Sequence, residues 1–172
     1  MFAKPDIMWF NIRKSFPNTG DHTMPTHKYD CLKLENQLCF PLYACAKEVV
    51  KRYTPFLSAL DLTYTQYIAM MVLWEHKSLT IKQAGSLLYL DSGTLTPLFK
   101  KLEEKGLVTR TRSQADERNL IVALTEKGEA LKDKALSVTA QMTACIQMPE
   151  EDIKQLYGVL HRMLDMFSQE QQ

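Results

Sequence analysis

The stretch from Asp91 to Val108, Asp-Ser-Gly-Thr-Leu-Thr-Pro-Leu-Phe-Lys-Lys-Leu-Glu-Glu-Lys-Gly-Leu-Val, constrains the fold more than any other part of the chain. Asp91 is a natural N-cap, able to accept a hydrogen bond from an orphan amide, and Gly106 is a natural helix stop. Between them reads one helix whose start carries small hydroxyl side chains and whose later turns carry lysines. A start crowded with Ser92, Gly93, Thr94 and Thr96 packs poorly as core. It suits insertion into a DNA groove, where short donors reach base edges and phosphates.

The flanking segments complete a recognisable order. Thr63-Tyr64-Thr65-Gln66 and Thr80-Ile81-Lys82-Gln83 both have the hydroxyl-x-x-Gln spacing of a capping box, which predicts helices over about 64–76 and 81–88. A short turn through Tyr89, Leu90 and Asp91 joins the second of these to the Ser92–Lys105 helix, which is helix-turn-helix connectivity. Leu107 to Arg112 alternates, Asn119 to Leu124 is rich in strand formers, and the polar run Ser113 to Arg118 lies between them. That pattern predicts a hairpin with a charged tip. A hairpin directly after a helix-turn-helix makes a winged helix, so the expected fold is mainly α with a small β-hairpin wing.

Long helices flank this module. Apolar residues at near-helical spacing, Leu34, Leu38, Leu42, Val49, Phe56 and Leu60, predict one helix from Leu34 to about Leu60, disturbed at Pro41 and Pro55. Thr125 can cap a helix over about 126–146, and Pro149 with Glu150 and Glu151 opens a last one reaching about Ser168. Leu131, Leu136, Val138, Ile146, Ile153, Leu156, Leu160, Leu164 and Phe167 on these helices need a partner surface, which predicts a homodimer. The expected organisation is a flexible arm or upstream extension over 1–28, a dimerisation helix over 29–62, a winged helix-turn-helix over 63–124 and dimerisation helices over 125–172.

Charge and cysteine usage limit the alternatives. The net charge of +1, from 21 basic and 20 acidic residues, argues against a nonspecific nucleic-acid coat. Locally the balance is basic: Lys100, Lys101, Lys105, Arg110 and Arg112 stand against Glu103 and Glu104. Charge alone fits a solvated helix face equally well. No apolar run is long enough for a membrane span, and Lys4, Asp6, Arg13 and Lys14 break up the start where a signal peptide would be apolar, so the expected location is the cytoplasm. Cys31, Cys39, Cys45 and Cys145 show no C-x-x-C spacing, and neither a metal nor a cofactor is expected.

The order helix, helix-turn-helix, wing and long C-terminal helices resembles the MarR family of dimeric winged-helix regulators over about residues 29–168. Leu34-Glu35-Asn36-Gln37-Leu38-Cys39-Phe40, Tyr89 to Pro97 and Asp116-Glu117-Arg118 together are similar to its OhrR branch, repressors that sense organic hydroperoxides through one cysteine. The resemblance implies that Cys39 is the peroxide-reactive residue and that Tyr43 and Tyr53 hydrogen-bond its thiolate. It also implies that Asp116 and Arg118 sit at a wing tip whose arginine enters the minor groove. Ser92, Thr94, Thr96 and Lys100 would lie on the recognition helix, with Arg110 beside them, facing a pseudo-palindromic double-stranded operator. Tyr43 is one turn from Cys39, but Tyr53 lies roughly 21 Å from Cys39 along an ideal helix and reaches a Cys39 only across a subunit interface.

A thiol at its reference pKa is only a few per cent thiolate at neutral pH, so such a sensor has to stabilise the anion. Two phenol donors and a helix start supply that. Oxidation would give a sulfenic acid, which a second thiol traps as a disulfide. Some relatives with two redox cysteines carry the resolving one in the C-terminal helices, which makes Cys145 a candidate; ordinary packing of Cys145 and a small cellular thiol as trap stay open beside it. Cys45 reads as a packing residue. The runner-up function is a MarR-type regulator that responds to phenolic or drug-like ligands. A thiol peroxidase would leave the DNA-reading module unexplained, so the chain is not read as an enzyme.

Overall fold

The computed structural model describes Tyr29 and residues 32–112 and 119–169. Cys31 and the wing-tip residues Asp116 and Arg118 therefore lie outside the described residues. The chain divides into two compact units, Met1–Lys51 and Arg52–Gln172. In the first, a 3-10 turn over Leu34–Asn36 precedes helix α1, Cys39–Ser58, which begins in this unit and ends in the second. Leu38, Phe40, Leu42, Tyr43 and Val50 on α1 and its approach are exposed in the single chain.

Helix α1 starts later than the hydrophobic spacing predicts. The chain leaves the 3-10 turn through an extended Gln37, with φ −99° and ψ 116°. Pro41 explains the delay. It has no amide hydrogen, so a helix running through Gln37 would leave that residue's carbonyl without its usual donor. Starting at Cys39 puts Pro41 in the first turn, where an amide would have no helical acceptor anyway.

The second unit holds helices α2 (Tyr64–His76), α3 (Ile81–Leu88), α4 (Ser92–Glu104), α5 (Glu126–Cys145) and α6 (Glu150–Gln169). Strands β1 (Ser78–Thr80), β2 (Val108–Arg112) and β3 (Leu120–Leu124) form an antiparallel sheet in the order β1-β3-β2. Val108 faces Leu124, Arg112 faces Leu120 and Leu79 faces Val122. The β2–β3 pair is the expected wing. Strand β1 was not anticipated, because it is three residues long and its last residue, Thr80, doubles as the N-cap of α3.

Both capping boxes form. The Thr63 hydroxyl accepts the Gln66 amide at 3.3 Å and the Gln66 side chain accepts the Thr63 amide at 3.1 Å; the corresponding distances at Thr80 and Gln83 are 3.2 and 2.8 Å. Each box satisfies two amides that a helix start would otherwise leave orphaned. The helices then bury one stripe each. On α4, Leu95, Leu98, Phe99 and Leu102 recur at i, i+3, i+4 and i+7 and join Leu57, Met70, Leu73, Val108, Val122 and Val138 in one core.

One junction ties the wing to α5. The Trp74 indole donates to the Gly128 carbonyl at 2.9 Å, and the Thr125 hydroxyl both donates to the Gly106 carbonyl at 2.8 Å and caps α5 by accepting the Gly128 amide at 3.0 Å. Only glycine fits at 128, since a Cβ there would lie 2.1 Å from the Leu107 carbonyl oxygen. Beyond this junction α5 buries Ala135, Val138 and Met142, whereas Leu136 is exposed. Among the described side chains of helix α6 none is buried, and its Ile153, Leu156, Tyr157, Val159, Met166 and Phe167 are exposed. No helix among the described residues is long and apolar enough to cross a membrane.

Candidate DNA interface and cysteine positions

The turn between α3 and α4 is set by three residues. Tyr89 ends α3 in the left-handed conformation, φ 53° and ψ 41°, with its amide bonded to the Gly85 carbonyl. A Cβ at Gly85 would come within 2.7 Å of the Leu90 carbonyl oxygen, so a side chain there would force the turn open. Asp91 then caps α4: one carboxylate oxygen accepts the Thr94 amide at 2.9 Å and the other the Thr94 hydroxyl at 2.8 Å. The bond from the Thr94 hydroxyl, followed by that from its amide, holds the Asp91 carboxyl below the usual carboxylate range.

With the Leu95–Leu102 stripe buried, α4 turns its other face outward. Ser92, Gly93, Thr94, Thr96, Pro97 and Lys100 are all exposed. Their hydroxyls are not equivalent. That of Thr94 is committed to Asp91, and that of Thr96 donates back to the Ser92 carbonyl at 2.7 Å. A groove beside this face is lined by Lys82 and Ser86 from α3, by Tyr89 just past its end, by Ser92 and Thr96 from α4, by Asn119 and Leu120 where β3 begins, and by Ser168 near the end of α6.

Arg110, named with the DNA-binding residues, is engaged within the chain. Its guanidinium is held by Glu103 at 2.8 Å, its side chain is 19% exposed, and its amide also donates to Glu103. Strand pairing turns it back toward α4, a relationship that residues seven apart in a sequence do not announce. Arg112 and Lys101 remain on the surface.

Cys39 is the first residue of α1 and is an exposed free thiol. Tyr43 follows one turn later and is 64% exposed. Tyr53, near the other end of α1, is half-buried in a row of aromatic rings: its centroid lies 4.9 Å from Tyr64 and 5.9 Å from Tyr67, which in turn is 6.2 Å from Trp74. Burial, and then the neighbouring phenols, raise the pKa of Tyr53 above the ordinary tyrosine value, so its hydroxyl stays a donor through neutral pH. Sequence reasoning missed Tyr64 and Tyr67 as supports of this tyrosine, although their spacing with Trp74 along α2 carries the signal. Cys145 is the last residue of α5 and, like Cys45, is an exposed free thiol. Cys45 therefore does not pack within the single chain. Among the described residues no group of three or more His, Cys, Asp or Glu is arranged to hold a metal ion.

A capped helix-turn-helix with a polar exposed face on its second helix, followed at once by a wing, defines a winged-helix DNA-binding regulator. Comparison with known proteins narrows the class. A family profile described as transcriptional regulator SarA/Rot matches residues 51–135. The chain is 48% identical over 143 residues to the organic hydroperoxide resistance transcriptional regulator of Bacillus subtilis (strain 168), a match covering 83% of this chain and 97% of that relative. Among solved structures, reduced AbfR bound to DNA aligns with a TM-score of 0.65 and 33% identity, over 79% of this chain and 96% of the other. Disulfide-formed AbfR aligns with a TM-score of 0.56 and 33% identity, over 83% and 97%; AbfR is a protein of Staphylococcus epidermidis. The chain belongs to the MarR/SarA family of winged-helix transcriptional regulators.

Proposed function

We propose that this regulator is a homodimer that leaves a pseudo-palindromic operator when an organic hydroperoxide oxidises Cys39. The observation that carries the reading is Cys39 itself, an exposed free thiol at the first residue of α1, where the helix dipole favours negative charge. The 48% identity to a hydroperoxide resistance regulator supports the choice of oxidant. In the reaction, the thiolate sulfur attacks the terminal peroxide oxygen, the O–O bond breaks, and the alkoxide leaves and takes up a proton from water. Cys39 becomes a sulfenic acid.

The exposed apolar residues of α6 and α1 support dimerisation through 29–62 and 125–172, with 63–124 reading DNA; the expected arm over 1–28 lies outside the described residues. In that dimer the Cys39 thiolate accepts hydrogen bonds from Tyr43 of its own subunit and from Tyr53 of the partner subunit. Ser92, Thr94, Thr96 and Lys100 face the major groove, and the wing tip with Asp116 and Arg118 faces the minor groove. Oxidation removes the anion that the phenols bind. A second thiol, Cys145 or a small cellular thiol, then condenses with the sulfenic acid to give a disulfide and water. The site of action is the cytoplasm, where the operator is.

An electrophoretic shift with the DNA upstream of the chain's own coding sequence tests this reading. Reduced protein shifts the DNA, cumene hydroperoxide abolishes the shift, and Cys39→Ser binds but no longer responds. Release that persists in Cys39→Ser would overturn the assignment.

A further inference from the structure

Among the described residues, three that are not glycine adopt positive φ: Asp61 at 53°, Lys77 at 64° and Tyr89 at 53°. Two of them have an internal reason. The Asp61 carboxylate pairs with Lys105 at 3.1 Å, and aspartate tolerates this backbone region. Lys77 reaches Glu129 at 2.7 Å while its carbonyl accepts the Leu124 amide at 2.9 Å. Tyr89 has no such side-chain partner. It ends α3 in a conformation that helix ends normally give to glycine or asparagine, the residue is 55% exposed, and its hydroxyl bonds to no described residue. A strained backbone and a solvated aromatic ring at one position point to a use outside the chain.

The surroundings identify that use. Lys82 and Ser86 fall at i and i+4 on one face of α3, and Tyr89, just past its end, lines the same groove with them and with Ser92 and Thr96. Ser86 and Thr96 donate to backbone carbonyls of their own helices, and beside them Lys82, Tyr89 and Ser92 are exposed donors of the same lining. Asp91, the carboxylate among the described lining residues, is committed to Thr94. A strip of donors with its carboxylate occupied fits phosphate oxygens, which only accept. We propose that Tyr89 is a DNA-positioning residue whose hydroxyl donates to a backbone phosphate beside the groove that α4 enters. The inference deepens the DNA-binding reading and rests on it. The left-handed backbone is the cost of aiming the ring away from the core and toward the duplex.

The test sets stability against affinity. Reduced wild type, Tyr89→Phe, Tyr89→Asn and Tyr89→Gly are compared by thermal unfolding and by fluorescence anisotropy, on the chain's own upstream DNA and on a random-sequence duplex of the same length. Tyr89→Gly and Tyr89→Asn relieve the backbone and should melt about 2–4 °C higher, yet bind both duplexes roughly tenfold more weakly. Tyr89→Phe should keep the wild-type melting temperature and lose about fivefold on both duplexes, because a phosphate contact carries no sequence information. Wild-type affinity in Tyr89→Phe, or in a Tyr89→Asn protein that melts no lower than wild type, would overturn the proposal. A loss confined to the upstream duplex would also overturn it, since that is base readout. Failure of the wild type to bind either duplex would instead bring down the DNA-binding reading beneath it.

Discussion

Glu103 and Arg110 brace the end of α4 against the wing through three bonds. One carboxylate oxygen of Glu103 accepts the Arg110 amide at 3.0 Å, and the other accepts Nε at 2.9 Å and Nη2 at 2.8 Å. Such a fork fixes geometry as well as adding charge-assisted bonds. A guanidinium held this way has its Nε and Nη2 committed inside the chain. Arg110→Ala should therefore lower the melting temperature by a few degrees and leave the salt dependence of DNA binding unchanged. Lys100→Ala, on the exposed face of α4, should do the reverse and reduce the salt slope by about one unit. Anisotropy titrations at several salt concentrations, beside thermal melts, separate the two.

Acid should loosen the reading module through three carboxylates. Hydrogen bonds from Thr94, Arg110 and Lys77 hold Asp91, Glu103 and Glu129 respectively below their ordinary range. The unfolded chain therefore binds protons more readily than the folded one. Their contribution is complete above the unfolded values near pH 4 and is lost as pH falls through the lower folded values. Melting temperatures followed from pH 6 downward should drop below about pH 4. Glu129→Gln should start lower and fall less steeply over that window.

Glycines at 128 and 158 should respond oppositely to alanine. At 128 the added carbon meets the Leu107 carbonyl oxygen at 2.1 Å and Leu124 at 2.8 Å; at 158 the nearest atom is an Arg162 nitrogen at 3.5 Å. Gly128→Ala should cost about 3 kcal/mol or prevent folding, in the range of overpacking within a tight core. Gly158→Ala, inside α6, should gain roughly 0.5–1 kcal/mol from helix propensity. Urea unfolding curves of both variants check the signs.

On the proposed reading, the fate of Cys145 tests which oxidised species forms. If it resolves the sulfenic acid of the partner's Cys39, peroxide-treated protein runs as a dimer on nonreducing denaturing gels and Cys145→Ser runs as a monomer. That variant also overoxidises Cys39 more readily, seen as a mass increase. A monomeric wild-type band with Cys145 still alkylatable would rule out the resolving role and leave the one-cysteine mechanism.

The sequence was legible where a single side chain settles a local question. Thr63, Thr80, Asp91 and Thr125 each fix a helix start by their own hydrogen bond, so those boundaries could be read to within a residue. The start of α1 was not, because hydrophobic spacing continues through Leu34 and Leu38 while Pro41 withholds one backbone bond. The site was legible as a set of residue types on the exposed face of α4 and less so in its pairing. Nothing in the spacing of Glu103 and Arg110 says that a strand turn brings them together. Tyr89 belongs to the stretch that carries the family likeness, but its backbone conformation is visible only in three dimensions.

The junction of Trp74, Gly106, Leu107, Thr125 and Gly128 has a mechanical consequence. Hydrogen bonds and a side-chain-free contact lock the wing, the end of α4 and the start of α5 together, with no flexible linker between them. Any swing of α5 must carry the whole DNA-reading head with it. In a dimer such heads behave like the jaws of a caliper, rigid in themselves and set by the angle of their arms. The duplex would then be released by a change of gauge, with each jaw keeping its shape.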